Sequence, residues 1–178
     1  MNLTKFNPHF NQPGFLHSTP LGKMVSTWTD RGLYRLDWNL GLDWNLDDLA
    51  ESCECSADGP ERQLDSLLAE YFRDGIADFE SVQIDEDGWT DLSTQVYRLC
   101  RKIPAGKTST YKRLAESVGR PGASRAIGGA MSRNRILIVI PCHRVIASNG
   151  KLQGFSAPGG LRTKQSLLDL EQSKGKSP

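Results

Sequence analysis

The sequence predicts a mixed α/β (α+β) protein, with an N-terminal strand/helix domain followed by a C-terminal helical domain that carries a helix-turn-helix. Three observations point there. Two short alternating segments near the start, residues 21–29 (LGKMVSTWT) and 32–40 (GLYRLDWNL), are separated by a tight turn. From Thr90 onward the apolar residues recur at helical spacing. The charge also changes sign between the halves. Residues 1–92 hold 6 Lys+Arg against 18 Asp+Glu, a net of −12, and residues 93–178 hold 16 against 3, a net of +13.

Along the chain, a polar N-terminal arm leads to a hairpin whose turn is Thr29-Asp30-Arg31-Gly32. The acidic stretch 46–55 has room for a helical turn. Pro60 stands at a first helical position, and Leu64, Leu67, Leu68 and Tyr71 then share one face until Gly75 closes the helix. Residues 77–85 (ADFESVQID) read as a further strand. The boundary is expected at the acidic run Asp85-Glu86-Asp87-Gly88, giving domains 1–88 and 89–178.

In the second half, Thr90 or Asp91 caps a helix whose face is Leu92, Val96, Leu99, Cys100 and Ile103. Residues 111–118 (YKRLAESV) form a short amphipathic helix, broken by Gly119-Arg120-Pro121-Gly122, and residues 123–132 (ASRAIGGAMS) start another. Two short helices around a Gly-containing turn are the helix-turn-helix pattern. Adjacent glycines cost a helix about 1 kcal/mol each relative to Ala. They suggest close approach of another backbone, either a neighbouring helix or a nucleic acid. A last helix, LRTKQSLLDLE, follows Gly160.

With 38% apolar and 24% charged residues, the 178-residue chain has the composition of a soluble globular protein. Its longest aliphatic run, residues 136–140, is too short to cross a bilayer. The N-terminal stretch lacks the apolar segment of a signal peptide. The expectation is an intracellular, cytoplasmic protein with no membrane partner. Its four cysteines then read as free thiols. Cys53-Glu54-Cys55 is too closely spaced for a usual zinc pair, and His9 and His17 lie far off in sequence, so no metal or cofactor is expected. Cys100 falls on an apolar helix face and reads as core. A basic half beside an acidic one fits contact with a polyanion, or two solvated faces that attract each other.

One stretch concentrates the chemistry. In IVIPCHRVI (residues 138–146) an apolar, strand-like run stops at Pro141 and presents Cys142 and His143 side by side. A buried inert thiol is the ordinary reading of a lone cysteine. A nucleophile delivered on a rigid support is the other.

PCHRV, preceded by RAIGGAMSRN and followed by GF, GGL and a helix with Lys164 and Glu171, resembles the O6-alkylguanine-DNA alkyltransferases, the methylated-DNA–protein-cysteine methyltransferases. The resemblance runs from about Thr90 to Glu171. It implies a winged-helix-like C-terminal domain, an RNase H-like α/β N-terminal domain, and a monomer acting on double-stranded DNA. It also implies one irreversible transfer of the alkyl group from guanine O6 to Cys142, and it leaves O4-methylthymine open as a further substrate. A free thiol with a pKa of about 8.5 needs activation at neutral pH. The resemblance supplies it as a relay of Cys142, a bound water, His143 and Glu171.

Other roles follow from the same resemblance. Tyr111 donates a hydrogen bond to the leaving guanine, and Asn134 joins the recognition helix to the active-site turn, as an ordinary helix cap also would. Arg125 enters the base stack in place of a nucleotide flipped through the minor groove, a step that costs a few kcal/mol. Ala126, Gly128, Gly129, Ala130 and Thr110 face DNA. Met131, Phe155, Ser156, Val145 and Lys164 surround the base, with the carbonyls of Cys142 and Val145 as acceptors. The chain departs from many members at Phe155-Ser156-Ala157-Pro158-Gly159-Gly160, where two extra residues enter the loop closing the pocket. Two rival functions are a non-enzymatic lesion-binding protein, which Cys142 opposes, and a Cys-His hydrolase, which leaves the basic half unexplained.

Overall fold

The computed structural model describes residues 14–38 and 59–174. In chain order these form β1 (Phe15–Thr19), β2 (Gly22–Thr29), β3 (Gly32–Asp37), α1 (Pro60–Asp74), α2 (Asp91–Arg101), β4 (Ser109–Thr110), α3 (Tyr111–Ser117), α4 (Ser124–Ser132), a 3₁₀ turn (Cys142–Arg144), β5 (Val145–Ile146) and α5 (Leu161–Lys174). The first three strands are an antiparallel meander with Phe15 opposite Ser26 and Val25 opposite Asp37. β4 and β5 form a two-residue parallel pair. The expected helical turn at 46–55, the end of the second expected strand at 39–40, and Cys53, Cys55 and His9 lie outside the described residues.

The strand at 15–19 replaces part of the expected polar arm. FLHST hides its alternation because the side chain it turns inward is a histidine. His17 is buried with both ring nitrogens engaged, by Ser26 Oγ at 2.8 Å and Asp65 Oδ1 at 3.1 Å. Hydrogen bonding is what permits a polar ring to occupy such a site.

Residues 77–85, expected as a strand, form a turn and one isolated bridge between Ile84 and Leu33. Phe79 and Val82 are buried as that pattern suggests. However, Arg101 takes the carbonyls of Phe79, Glu80 and Val82 at 2.6, 3.3 and 3.3 Å, the acceptors a neighbouring strand would use. The apolar run 136–140 is likewise no strand. Ile136 bridges Leu36, then the chain turns on itself with Val139 N bonded to Leu137 O (2.8 Å) and Ile140 N to Ile136 O (3.0 Å). All five side chains are buried, so a compact turn, rather than a strand, fills the core here. Ile138 adopts φ 69°, a left-handed conformation that is uncommon and costly for a β-branched residue.

The helices follow their sequence signals. Pro60 opens α1, which buries Leu64, Leu68 and Tyr71, each leucine contributing about 1.5–3 kcal/mol. Gly75 ends it at φ 72°, where a Cβ would stand 2.7 Å from Leu170 O of α5. Thr90 caps α2, its Oγ1 accepting from Ser93 N at 3.2 Å. α3 and α4 pack together around left-handed Gly119 and Gly122 as the helix-turn-helix. Tyr97 of α2 donates to Ala130 O of α4 at 2.6 Å.

One buried core runs through both halves, from Met24 and Leu33 past Leu64 and Val96 to Ile127 and Leu167. Arg135 fastens them. Its guanidinium lies 3.7 Å from the Tyr34 ring centroid and donates to the carbonyls of Tyr34, Asp85 and Asp87 at 2.7, 3.0 and 2.7 Å. Among the described residues, no helix is long and apolar enough to cross a membrane.

Candidate active site

Cys142 opens the 3₁₀ turn directly after Pro141 and is only 4% exposed. Asn134, just past the end of α4, sets its position. Asn134 Nδ2 donates to Ile140 O at 2.9 Å and to Cys142 Sγ at 3.2 Å, while its Oδ1 accepts from Ile136 N at 3.0 Å. A single buried amide therefore spans the strained turn and reaches the thiol. Burial pushes the Cys142 thiol up from its ordinary value, more than the Asn134 donor, the Lys164 charge and the N–H groups of the turn pull it down. The resting sulfur is a neutral thiol, and a base must take its proton.

The next residue in the chain carries an imidazole. His143 is sealed from solvent, its Nε2 lies 2.7 Å from Glu171 Oε1, and its Nδ1 has no hydrogen-bond partner among the described residues. Burial lowers the His143 pKa below 6.5 by more than Glu171 raises it, so the imidazole is neutral near pH 7. An ionised Glu171 accepts a hydrogen bond from Nε2–H, which leaves the Nδ1 lone pair free to act as base.

Glu171 is held ionised by its surroundings. Burial alone would raise its carboxyl, but the His143 and Arg144 hydrogen bonds and charges outweigh burial and bring it to about 2. Arg144 Nε and an Nη donate to it at 2.9–3.1 Å, Gly106 N at 2.9 Å and Tyr71 OH at 2.8 Å. Arg144 is itself fixed by Ile103 O at 2.5 Å. Glu171, Arg144 and Tyr71 are all buried, as a satisfied internal ion pair requires.

In front of this cluster lies a cavity of about 590 Å³, lined by Cys142 together with Tyr111, Arg125, Gly128, Met131, Phe155 and Ser156. It joins the thiol to the exposed face of α4. Arg125 and Ala126 are exposed. A Cβ at Gly128 would meet nothing within 4 Å, and one at Gly129 only the flexible Arg133 side chain at 3.4 Å. No neighbouring helix requires these glycines. Ala130 differs: it is fully buried and does not reach that face. Thr110 caps α3 by accepting from Arg113 N at 3.0 Å.

Lys164 and Val145 stand behind the cavity wall, fully buried. Lys164 Nζ donates to Val145 O at 2.7 Å and Gln153 O at 2.9 Å, and burial lowers its pKa. Tyr111 OH donates to the same Gln153 carbonyl at 3.1 Å, so these two residues shape the pocket loop. In the departing segment, Ala157 turns inward and is buried, while Pro158 stays exposed.

Residues 91–173 match the family model for the 6-O-methylguanine DNA methyltransferase, DNA binding domain. The methylated-DNA–protein-cysteine methyltransferase of Methanosarcina barkeri is 37% identical over 160 residues, covering 87% of this chain and 94% of that protein. The chain belongs to the methylated-DNA–protein-cysteine methyltransferase family. The Saccharolobus islandicus methyltransferase of the same name is also 37% identical, covering 89% of this chain and 95% of its own. Among solved structures, the Mycobacterium tuberculosis OGT in complex with DNA superimposes with a TM-score of 0.74 at 30% identity, covering 92% of this chain and 94% of that one.

Two residues that sequence reasoning missed complete the site of this methyltransferase. Arg144 lies within the PCHR motif and was legible there as a cation adjacent to His143. Tyr71 carried no signal beyond its place on an apolar helix face.

Proposed function

We propose that the chain repairs DNA by moving the alkyl group of O6-alkylguanine in duplex DNA irreversibly onto Cys142, after the nucleotide flips out through the minor groove. The observation that carries this reading is a cavity lined both by Cys142 and by Arg125 and Gly128 of α4. A nucleophile and a DNA-facing helix share one opening. Residues 89–178 hold that machinery, and residues 1–88 support it.

The thiol proton passes to His143 Nδ1, directly or through a water, as Glu171 keeps Nε2 protonated. The sulfur attacks the alkyl carbon, a C–S bond forms, and the C–O6 bond breaks. The departing guanine takes up a proton, so the net change exchanges the thiol hydrogen for the alkyl group. Asn134 Nδ2 stabilises the sulfur as charge develops, and Tyr111 turns its hydroxyl from Gln153 O to the guanine ring. Arg125 fills the gap in the stack, and the open surface at Gly128 and Gly129 lets α4 enter a groove about 6 Å wide. The basic second half supplies sequence-independent phosphate attraction. The thioether is stable, so each molecule acts once, inside the cell where DNA is reached.

Incubation with an O6-methylguanine duplex, followed by intact-mass and peptide analysis, is expected to add one methyl group to the peptide carrying Cys142. Persistent binding without the adduct overturns the transfer. A parallel duplex with O4-methylthymine decides whether that base is accepted.

A further inference from the structure

We propose that Tyr71, contributed by α1 of the acidic half, is a positioning residue for alkyl transfer, holding Glu171 and His143 in the one arrangement that leaves His143 Nδ1 free as base. The inference rests on the transfer reading above and adds to it a residue outside the matched segment 91–173.

The geometry is specific. Tyr71 OH donates to Glu171 Oε1 at 2.8 Å and lies 3.3 Å from His143 Nε2, and the same Oε1 lies 2.7 Å from that Nε2. The three atoms form a closed triangle, so the phenol oxygen also faces the Nε2 proton and can share it. Tyr71 is fully buried, with its ring set edge-on against Phe72 and Phe79 at 5.3 and 5.9 Å between centroids. The ring cannot swing away without opening the core. Burial, then Glu171, raises the phenol pKa well above its ordinary value, so the hydroxyl remains a donor at every working pH.

The charge balance gives the hydroxyl a definite effect. The groups facing His143 are Glu171 and Lys164 from α5, Arg144 and Cys142 from its own turn, and Tyr71 from α1. Glu171 is the anion among them that raises the proton affinity of His143, and Arg144, Gly106 N and Tyr71 OH all draw on its charge. Without the Tyr71 hydroxyl, Oε1 attracts the imidazole proton more strongly and His143 becomes easier to protonate. Protonated His143 cannot accept the thiol proton. The hydroxyl therefore keeps the base neutral as well as oriented.

The test is Tyr71→Phe, which removes one oxygen and keeps the ring packing, measured beside wild type with an O6-methylguanine duplex. The expected results are an unchanged Kd for the duplex and a single-turnover transfer rate about tenfold lower at pH 7. That loss is part of the roughly 10²–10⁴-fold that a well-placed general base contributes. The acid limb of the rate profile should also move to higher pH. A rate and profile equal to wild type overturn the proposal, as does a rate lowered by one factor at all pH, which would mark a purely structural role. Nitrogen-15 NMR of the wild-type imidazole gives a check that needs no variant. The proton of neutral His143 is expected on Nε2, with through-space contact to the Tyr71 ring, and finding it on Nδ1 overturns the proposal. If wild type itself forms no adduct on Cys142, the transfer reading fails; an adduct in wild type with an unaffected Tyr71→Phe variant is failure of the proposal alone.

Discussion

Glu171 and Arg144 form a buried ion pair whose carboxylate also fixes the tautomer of His143: Arg144 Nη2 stands 2.9 Å, and His143 Nε2 2.7 Å, from the same Oε1. On the proposed reading, a residue of the last helix is thereby both a structural counter-ion and the orienting partner of the base.

Glu171→Gln keeps the volume and an acceptor but leaves Arg144 as an uncompensated buried charge. Removing one partner of such a pair costs about 3–5 kcal/mol. Urea unfolding is expected to show a loss of that size. The transfer rate should fall as well, since a neutral amide holds the Nε2 proton less firmly. A stability within 1 kcal/mol of wild type would show that Arg144 finds water instead.

The pH dependence of stability has two windows. His17 and His143 are both lowered below 6.5, mainly by burial, so the folded protein resists protonating them while the unfolded chain does not. Their contribution is intact above pH 6.5 and is lost as pH falls below it. Glu171 is lowered from 4.5 to about 2, so its contribution is present above pH 4.5 and lost as pH falls toward 2. Thermal melts are expected to decline in two stages, first below pH 6.5 and again below pH 4.5. His17→Asn should flatten the first stage without changing the transfer rate near neutrality.

Asn134 offers a test of the donor shared by the sulfur and the Ile140 carbonyl. Asn134→Asp retains the Oδ1 acceptor for Ile136 N but replaces the donor to both Sγ and Ile140 O with a carboxylate oxygen, so it costs stability as well as the sulfur contact. A negative oxygen facing a developing thiolate opposes the reaction, so transfer should fall by more than tenfold while duplex affinity holds. Asn134→Ala removes the bonds to Ile136 N, Ile140 O and Sγ at once. It is expected to lose about 2–3 kcal/mol in urea unfolding, the cost of leaving buried backbone groups unpaired.

What the residues themselves made legible rests on local signals, while Glu171, Tyr111 and Arg125 entered the site through the resemblance alone. Pro60 and Gly75 bracket α1, Thr90 caps α2, and Cys142, His143 and Asn134 meet within ten residues of chain. What the sequence hid depends on distant contacts. The run 136–140 has the composition of a strand, yet its burial comes from a turn closed by its own backbone bonds. FLHST lost its alternation because His17 is buried through Asp65, 48 residues away. Tyr71 and Glu171 are 100 residues apart, and nothing near Tyr71 distinguishes a core phenol from one aimed at the site.

Arg125 separates two readings of the recognition helix. It is exposed, so Arg125→Ala should change stability by no more than about 0.5 kcal/mol. If the side chain fills the base stack, the variant loses transfer rate while the salt dependence of binding is nearly unchanged. If it contacts a phosphate, the slope of log K against log salt falls by about 1 and the rate at saturating DNA holds. The first outcome is expected, because Arg125 lines the same cavity as Cys142.

Gly128 provides the sharpest opposition between folding and binding. Its backbone is ordinary helix and a Cβ there meets no atom within 4 Å, so Gly128→Ala carries no steric penalty in the free protein. Helix propensity then favours alanine by about 1 kcal/mol, and the thermal midpoint should rise. The added methyl group stands on the face that lines the cavity beside Arg125, which on the proposed reading meets the groove wall. Duplex affinity and transfer rate should both fall, though the protein is more stable. An alanine variant that is more stable and fully active would mean that α4 does not enter the groove on this face.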